Sequence, residues 1–202
     1  MLDSAIRKKI DPYLNELAKF FIKQDVSANQ LTVGGFILGL MTIPLLSFHQ
    51  YTLALLVILL NRLSDGLDGA VARQTVVTLT GAYLDIVLDF IFYSAVIMGF
   101  ILAQPDYAVY GALLIFSFIG TGSSFLAFAI FAEKLNLNTN LQGKKSFYYL
   151  AGLAEGTETI VCLSLMCIFP SYFWVLALGF AIICFIATIL RIASSIKLLS
   201  SI

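Results

Sequence analysis

Four aspartates stand in two apolar stretches of this 202-residue chain: Asp65 and Asp68 in the first, Asp85 and Asp89 in the second. On helices, an i,i+3 pair and an i,i+4 pair each present both carboxylates on one face. Two such faces form a pocket of four acids. An acid within a membrane helix costs roughly 2.5–3.5 kcal/mol on insertion scales, so the four call for a cation among them. No His or Cys lies within reach in the sequence, and oxygen donors alone favour a hard ion, Mg²⁺ first and Mn²⁺ or Ca²⁺ next. Four acids suffice for two divalent ions about 3.5–4 Å apart, the arrangement that stabilises in-line displacement at phosphorus.

The neighbouring residues fit the same chemistry. Gly66, Gly69, Ala70 and Ala72 strip side chains from the helix beside the acids. Arg73 offers a fixed cation to a phosphate oxygen. Close helix packing accounts for the small residues, but not for the acids.

Asp65-x2-Asp68-Gly69-x2-Ala72-Arg73 followed by Gly81-x3-Asp85-x3-Asp89 resembles the signature of the CDP-alcohol phosphatidyltransferase family. These integral membrane enzymes move a phosphatidyl group from CDP-diacylglycerol to an alcohol. Seven residues, Gln74 to Thr80, separate Arg73 from Gly81 where the pattern usually has eight, so the link between the helices is short. The stretch Ala28-Asn29-Gln30-Leu31-Thr32 also resembles the family's Pro-Asn-x-Leu-Thr entry, with Ala28 in place of the proline.

The resemblance implies that Asp65, Asp68, Asp85 and Asp89 hold two Mg²⁺ or Mn²⁺ ions. Asp89, one turn or about 6 Å beyond Asp85, doubles as general base. Gly66, Gly69, Ala72, Arg73 and Gly81 shape the nucleotide cleft, with Asn29 and Thr32 as further contacts. Asn29 or Ser27 alternatively serves only to cap a helix. The expected partners are CDP-diacylglycerol, a small alcohol, the lipid bilayer and, by resemblance, a second copy of the chain; no nucleic acid is expected.

Composition places this chemistry in a membrane. Hydrophobic residues make up 60% of the chain and charged residues 12%, with mean hydropathy +0.95, which excludes an ordinary soluble domain. The expected fold is all-α in one domain. Residues 1–25 form an amphipathic interfacial helix, with Ile6, Ile10, Leu14, Leu17 and Phe21 at helical spacing, and residues 26–202 form a bundle of six transmembrane helices. The spans begin near Leu31, Thr52, Gly81, the residues after Asp106, Phe147 and the residues after Ser171. Pro12 is expected to kink or split the first helix. The small-residue run Gly120 to Ser124 packs helices. His49 has no assigned role, and Cys162, Cys167 and Cys184 are reduced packing residues.

All 12 Lys and Arg fall on the side shared by the termini, the 2–3 loop and the 4–5 loop. That side is therefore cytoplasmic, in the inner membrane, with both termini inside and the aspartates opening onto it. Lys134, Lys145 and Arg191 lie outside the aspartate motif and could hold a phosphate on the acceptor. They favour glycerol 3-phosphate or an inositol phosphate over serine. Positive-inside charge, or pairing with Glu155 and Glu158, accounts for them equally simply. A cation-coupled transporter is the rival class, but it places its acids near the midplane with a path to both faces.

Overall fold

The computed structural model describes residues 2–134 and 156–200, and among them the chain is helical with no strand. The helices are α1 (Leu2–Lys23), α2 (Ala28–Leu40), α3 (Thr42–Ser47), α4 (Tyr51–Gln74), α5 (Leu79–Ala103), α6 (Ala108–Lys134), α7 (Gly156–Ile168) and α8 (Phe173–Leu199). Among the described residues, four stretches are long and apolar enough to cross a bilayer: Ala28–Ser47, Leu79–Ala103, Pro105–Lys134 and Pro170–Leu199. α4 is long enough at 24 residues, but Arg62, Asp65, Asp68 and Arg73 crowd its second half. α7 is 13 residues, and the start of its expected span, from Phe147, lies outside the described residues.

One break has a local cause. The expected first span is two helices, α2 and α3, parted at Met41. Pro44 lacks an N–H and its ring crowds the carbonyl four residues back, while Thr42 donates to the Gly39 carbonyl at 2.7 Å. By contrast, α1 runs unbroken through Pro12. Ser27, not Asn29, caps α2: its hydroxyl accepts from the Gln30 amide, and the Gln30 side chain accepts from the Ser27 amide.

Asp25 and His49 carry left-handed backbones, φ 55° and 58°, for the same reason. Each follows a helix end where two amides reach back to orphan carbonyls. Asp25 and Val26 bond to Ile22 and Phe21, and His49 and Gln50 bond to Leu46 and Leu45. The first of these turns folds α1 back along α4, where Leu14, Ala18, Phe21 and Ile22 meet Ala70, Val71, Ala28 and Leu31.

The core lies between α3, α4, α5, α6, α7 and α8 and is built on Phe92, Val96, Phe100, Leu114, Leu163, Met166 and Phe173. α2 packs along α4, α3 along α5 and α6 along α8. The small-residue run of α6 does pack helices: a Cβ on Gly120 would lie 3.2 Å from Thr188, and one on Gly122 2.8 Å from Phe90. At the end remote from the aspartates, Tyr51, Phe100 and Phe173 stack, and Tyr107, Tyr110 and Trp174 form a second aromatic group. Tyr and Trp favour the bilayer boundary.

α2 and α4 touch backbone to side chain. A Cβ on Gly35 would sit 2.6 Å from the Ser64 Cβ, a clash no rotamer relieves, whereas a Cβ on Gly34 meets nothing within 4 Å. Gly35→Val is therefore expected to cost about 1–3 kcal/mol or more. Gly34→Ala should be neutral or stabilising by up to about 1 kcal/mol. Thermal unfolding of the two variants in detergent checks this pair of opposite outcomes.

Candidate active site

Asp65 and Asp68 lie on the second half of α4, and Asp85 and Asp89 on the first turns of α5. The short link between them is closed by Thr78, whose hydroxyl accepts from the Gly81 amide at 3.0 Å and starts α5. Asp65, Asp68 and Asp85 converge, each offering a carboxylate oxygen within 4.8 Å of the others. Asp68 is buried and accepts a 2.5 Å hydrogen bond from the Thr32 hydroxyl of α2.

Asp89 lines the same cavity beside this triad and has partners of its own. Its Oδ1 accepts from Arg62 Nη2 at 2.7 Å and its Oδ2 from Arg62 Nη1 at 3.1 Å and from the Tyr93 hydroxyl at 3.0 Å. The sequence reading put four acids around the metals; all four line one cavity, three of them clustered, and the fourth is also paired with an arginine. Arg62 approaches Asp65 less closely, at 3.6 Å. Arg62 itself is fixed. Nε and Nη2 donate to Asn61 Oδ1, the guanidinium lies 4.9 Å from the Phe92 ring and 5.3 Å from the Tyr93 ring, and Asn61 donates to the Gly35 carbonyl. Ser64 ties the same helix to α2 by donating to the Leu31 carbonyl at 2.9 Å.

The acids floor a cavity of about 880 Å³ between α1, α4, α5, α6, α7 and α8. Gly66, Gly69 and Arg73 line it, while Ala72 is not among its lining residues. α1 forms part of the wall. Leu14 lies over Gly66, where a Cβ would be 2.9 Å from its Cδ1, and Asp11 faces Arg73 at 3.5 Å. The wall also carries apolar side chains, among them Phe90, Phe118, Phe125, Ile160 and Val161.

The remaining expected contacts divide. Thr32 sits behind Asp68, and Asn29 and Gly81 face each other, a Gly81 Cβ falling 2.9 Å from Asn29 Oδ1. Asn29 lines a separate cavity of about 360 Å³ with Asp25 and Thr78. Arg191 lines the main cavity and donates to the Thr121 carbonyl at 2.8 Å and to Ser124 at 3.3 Å. Lys134 is exposed at the end of α6 against Phe131 and is not among the cavity's lining residues. Lys145 and Glu155 lie outside the described residues. Glu158, on the first turn of α7, has a buried Oε2 with no hydrogen-bond partner among the described residues.

The triad fits a divalent metal: three clustered carboxylates with no nitrogen or sulfur donor suit a hard, oxygen-seeking cation. Arg62 and Tyr93 are the residues that sequence reasoning missed. The signal was present, because an arginine three residues before Asp65 in an apolar helix must find a partner within the bundle.

A family model described as CDP-alcohol phosphatidyltransferase matches residues 25–185. The chain is 46% identical over its full length to the inner membrane protein YnjF of Escherichia coli, covering 98% of that protein. It is 30% identical to the archaetidylinositol phosphate synthase of Pyrococcus horikoshii over 48% of this chain and 52% of that one. Among solved structures, the Mycobacterium tuberculosis phosphatidylinositol phosphate synthase PgsA1 with CDP-DAG bound shares the fold, with a TM-score of 0.71 at 16% identity over 90% of this chain and 92% of that one. With the aspartate signature intact and the family model spanning most of its length, the chain belongs to the CDP-alcohol phosphatidyltransferase family.

Proposed function

We propose that the protein transfers a phosphatidyl group from CDP-diacylglycerol to a small polar alcohol and releases CMP, using divalent metal held by Asp65, Asp68 and Asp85. The observation that carries this reading is the oxygen-only triad in a cavity lined by both charged and apolar side chains. A lipid diphosphate has both kinds of surface. Bound Mg²⁺ or Mn²⁺ would neutralise charge on the diphosphate. Arg73 and the bare backbone at Gly66 and Gly69 would receive phosphate oxygens, with Arg73 leaving Asp11 to do so. The acceptor oxygen bonds to the lipid-linked phosphorus, the anhydride P–O bond breaks, and CMP departs with the electron pair. The acceptor proton passes to Asp89. The apolar wall formed by Phe90, Phe125 and Val161 would let the acyl chains lie toward the bilayer.

The same reading includes six spans, formed by α2 with α3, α4, α5, α6, the segment ending in α7, and α8. α1 lies at the interface, both termini are cytoplasmic, and two copies assemble as the family resemblance implies. The one-sided distribution of Lys and Arg and the aromatic groups at the other end support this orientation. A relative named an inner membrane protein supports that membrane. Arg191 on the cavity wall supports a phosphorylated acceptor, as do relatives named for inositol phosphate products. Lys134, at the exposed end of α6, would act at most at the entrance.

Two measurements test the reading. Asp68→Asn and Asp85→Asn should each cut turnover of radiolabelled CDP-diacylglycerol by at least about a hundredfold, on the scale of lost electrostatic stabilisation, and weaken Mn²⁺ binding in calorimetry. Full turnover in EDTA would sink the metal role. Arg191→Ala should raise the KM for a phosphorylated acceptor by about tenfold or more, the scale of a lost charge-assisted hydrogen bond of ~1.5–3 kcal/mol. The KM for CDP-diacylglycerol should hold within twofold, roughly the error of such comparisons. An acceptor panel in which only uncharged alcohols react would exclude the phosphate pocket.

A further inference from the structure

We infer that Thr32 is a positioning residue for the metal: from α2 it holds the carboxylate of Asp68 in one orientation and so sets the affinity of the acid cluster for divalent cations. This inference rests on the phosphatidyl-transfer reading and extends its metal site to a residue behind the acids. The sequence motif around Thr32 suggested a contact with the nucleotide, but its hydroxyl is already engaged. Oγ1 donates to Asp68 Oδ2 at 2.5 Å and lies 3.0 Å from the Ala28 carbonyl. A hydroxyl has one hydrogen to give. A carboxylate that binds a metal is ionised, so the hydrogen goes to the charged acceptor, where the bond is short and strong.

Asp68 depends on such a partner because it is the buried member of the triad, whereas Asp65 is half-buried and Asp85 exposed. The terminal torsion of an aspartate is broad and roughly two-fold, so its rotamer alone does not orient the carboxylate. Thr32 supplies the constraint. A β-branched side chain on a helix has few wells at χ1, and Thr32 adopts the one in which Oγ1 reaches back to the carbonyl four residues earlier. The donor is therefore placed by its own helix before it meets the acid.

That helix is in turn fixed to α4. Asn61, Ser64 and Asp68 stand at i, i+3 and i+7, one stripe of α4, and each meets α2. Asn61 donates to the Gly35 carbonyl at 2.8 Å, Ser64 donates to the Leu31 carbonyl at 2.9 Å, and Asp68 accepts from Thr32. Leu31 and Gly35 flank Thr32 in the chain, so bonds on both sides keep it in register with Asp68. The close approach at Gly35 leaves α2 little room to slide.

Three roles for Thr32 make different predictions. A threonine that only packed α2 would leave metal binding unchanged when its hydroxyl is removed. One that held the nucleotide would weaken CDP-diacylglycerol binding at every metal concentration. A threonine that positions Asp68 produces a defect in metal affinity that excess metal overcomes.

The test uses the full-length protein in detergent, with Mn²⁺ alone as the calorimetric probe and CDP-diacylglycerol turnover as the second readout. Thr32→Val keeps the branched shape and removes the donor. Its Kd for Mn²⁺ should rise by about tenfold to a hundredfold, the scale seen when the partner behind a metal ligand is lost. At saturating Mn²⁺ its turnover should return to within about threefold of the unaltered protein, and its KM for CDP-diacylglycerol to within about twofold. Thr32→Ser keeps the hydroxyl and should bind Mn²⁺ within about threefold of the unaltered protein. Unchanged Mn²⁺ affinity in Thr32→Val, equally weak binding in Thr32→Ser, or a KM for CDP-diacylglycerol that stays raised at saturating Mn²⁺ overturns the inference. Should Thr32→Val fail to fold, Thr32→Ala removes the same hydroxyl with less bulk beside Asp68. It should weaken Mn²⁺ binding in the same way, and normal affinity there also overturns the inference. Asp68→Asn run in parallel separates the two failures. If that variant binds Mn²⁺ and turns over normally, the phosphatidyl-transfer reading fails, whereas a defective Asp68→Asn beside a normal Thr32→Val removes only the role of Thr32.

Discussion

Like charge crowded into a small space is the constraint to which the rest of this molecule answers. At an effective dielectric of about 20, two carboxylate charges 4.8 Å apart repel by roughly 3–4 kcal/mol, and the triad contains three such pairs. The Thr32 hydroxyl at Asp68 and the distant edge of Arg62 offset only part of this. A divalent cation reverses the sign of the sum. The fourth acid, Asp89, lines the same cavity and has a cation of its own in Arg62.

Holding the acids in this arrangement falls to the contact of α2 with α4. Gly35 brings the two backbones together, Asn61 and Ser64 bond across the contact to the carbonyls of Gly35 and Leu31, and Thr32 reaches Asp68 from the same face of α2. Each of these polar groups finds a partner on the neighbouring helix, as the interior of a membrane bundle demands. The opposite wall is made by α6 and α8, which pack mainly on each other. The cavity lies between a hydrogen-bonded unit that carries the acids and a second unit that carries Arg191. A reaction between two substrates suits such a division, with one bound to each side.

What the sequence made legible follows from how local each feature is. The aspartates could be read because their spacing along two helices already puts them on one face, and the boundaries of α4 and α5 followed from the apolar runs that contain them. The break at Met41 was hidden inside one continuous apolar run, although Pro44 carries a local rule that predicts it. Asn29 and Gly81 stand 52 positions apart, and no pattern along the chain shows that they touch. Their residue types suggested the nucleotide, whereas the geometry first of all packs α2 against the start of α5.

Arg62 shows a different limit. In the sequence it served as one more positive charge in a topology argument, and its spacing from Asp65 points to the nearer acid. The structure pairs it with Asp89, 27 residues on, at 2.7 Å, and leaves Asp65 at 3.6 Å. The choice follows from direction. Side chains on a helix lean toward its N-terminus, so a long side chain at position 62 reaches across to α5 and not down its own helix to residue 65. Once there, the flat fork finds both oxygens of Asp89 and a tyrosine one turn farther along the same helix. Helix direction, more than charge spacing, decides which of four equivalent-looking acids becomes the unlike one.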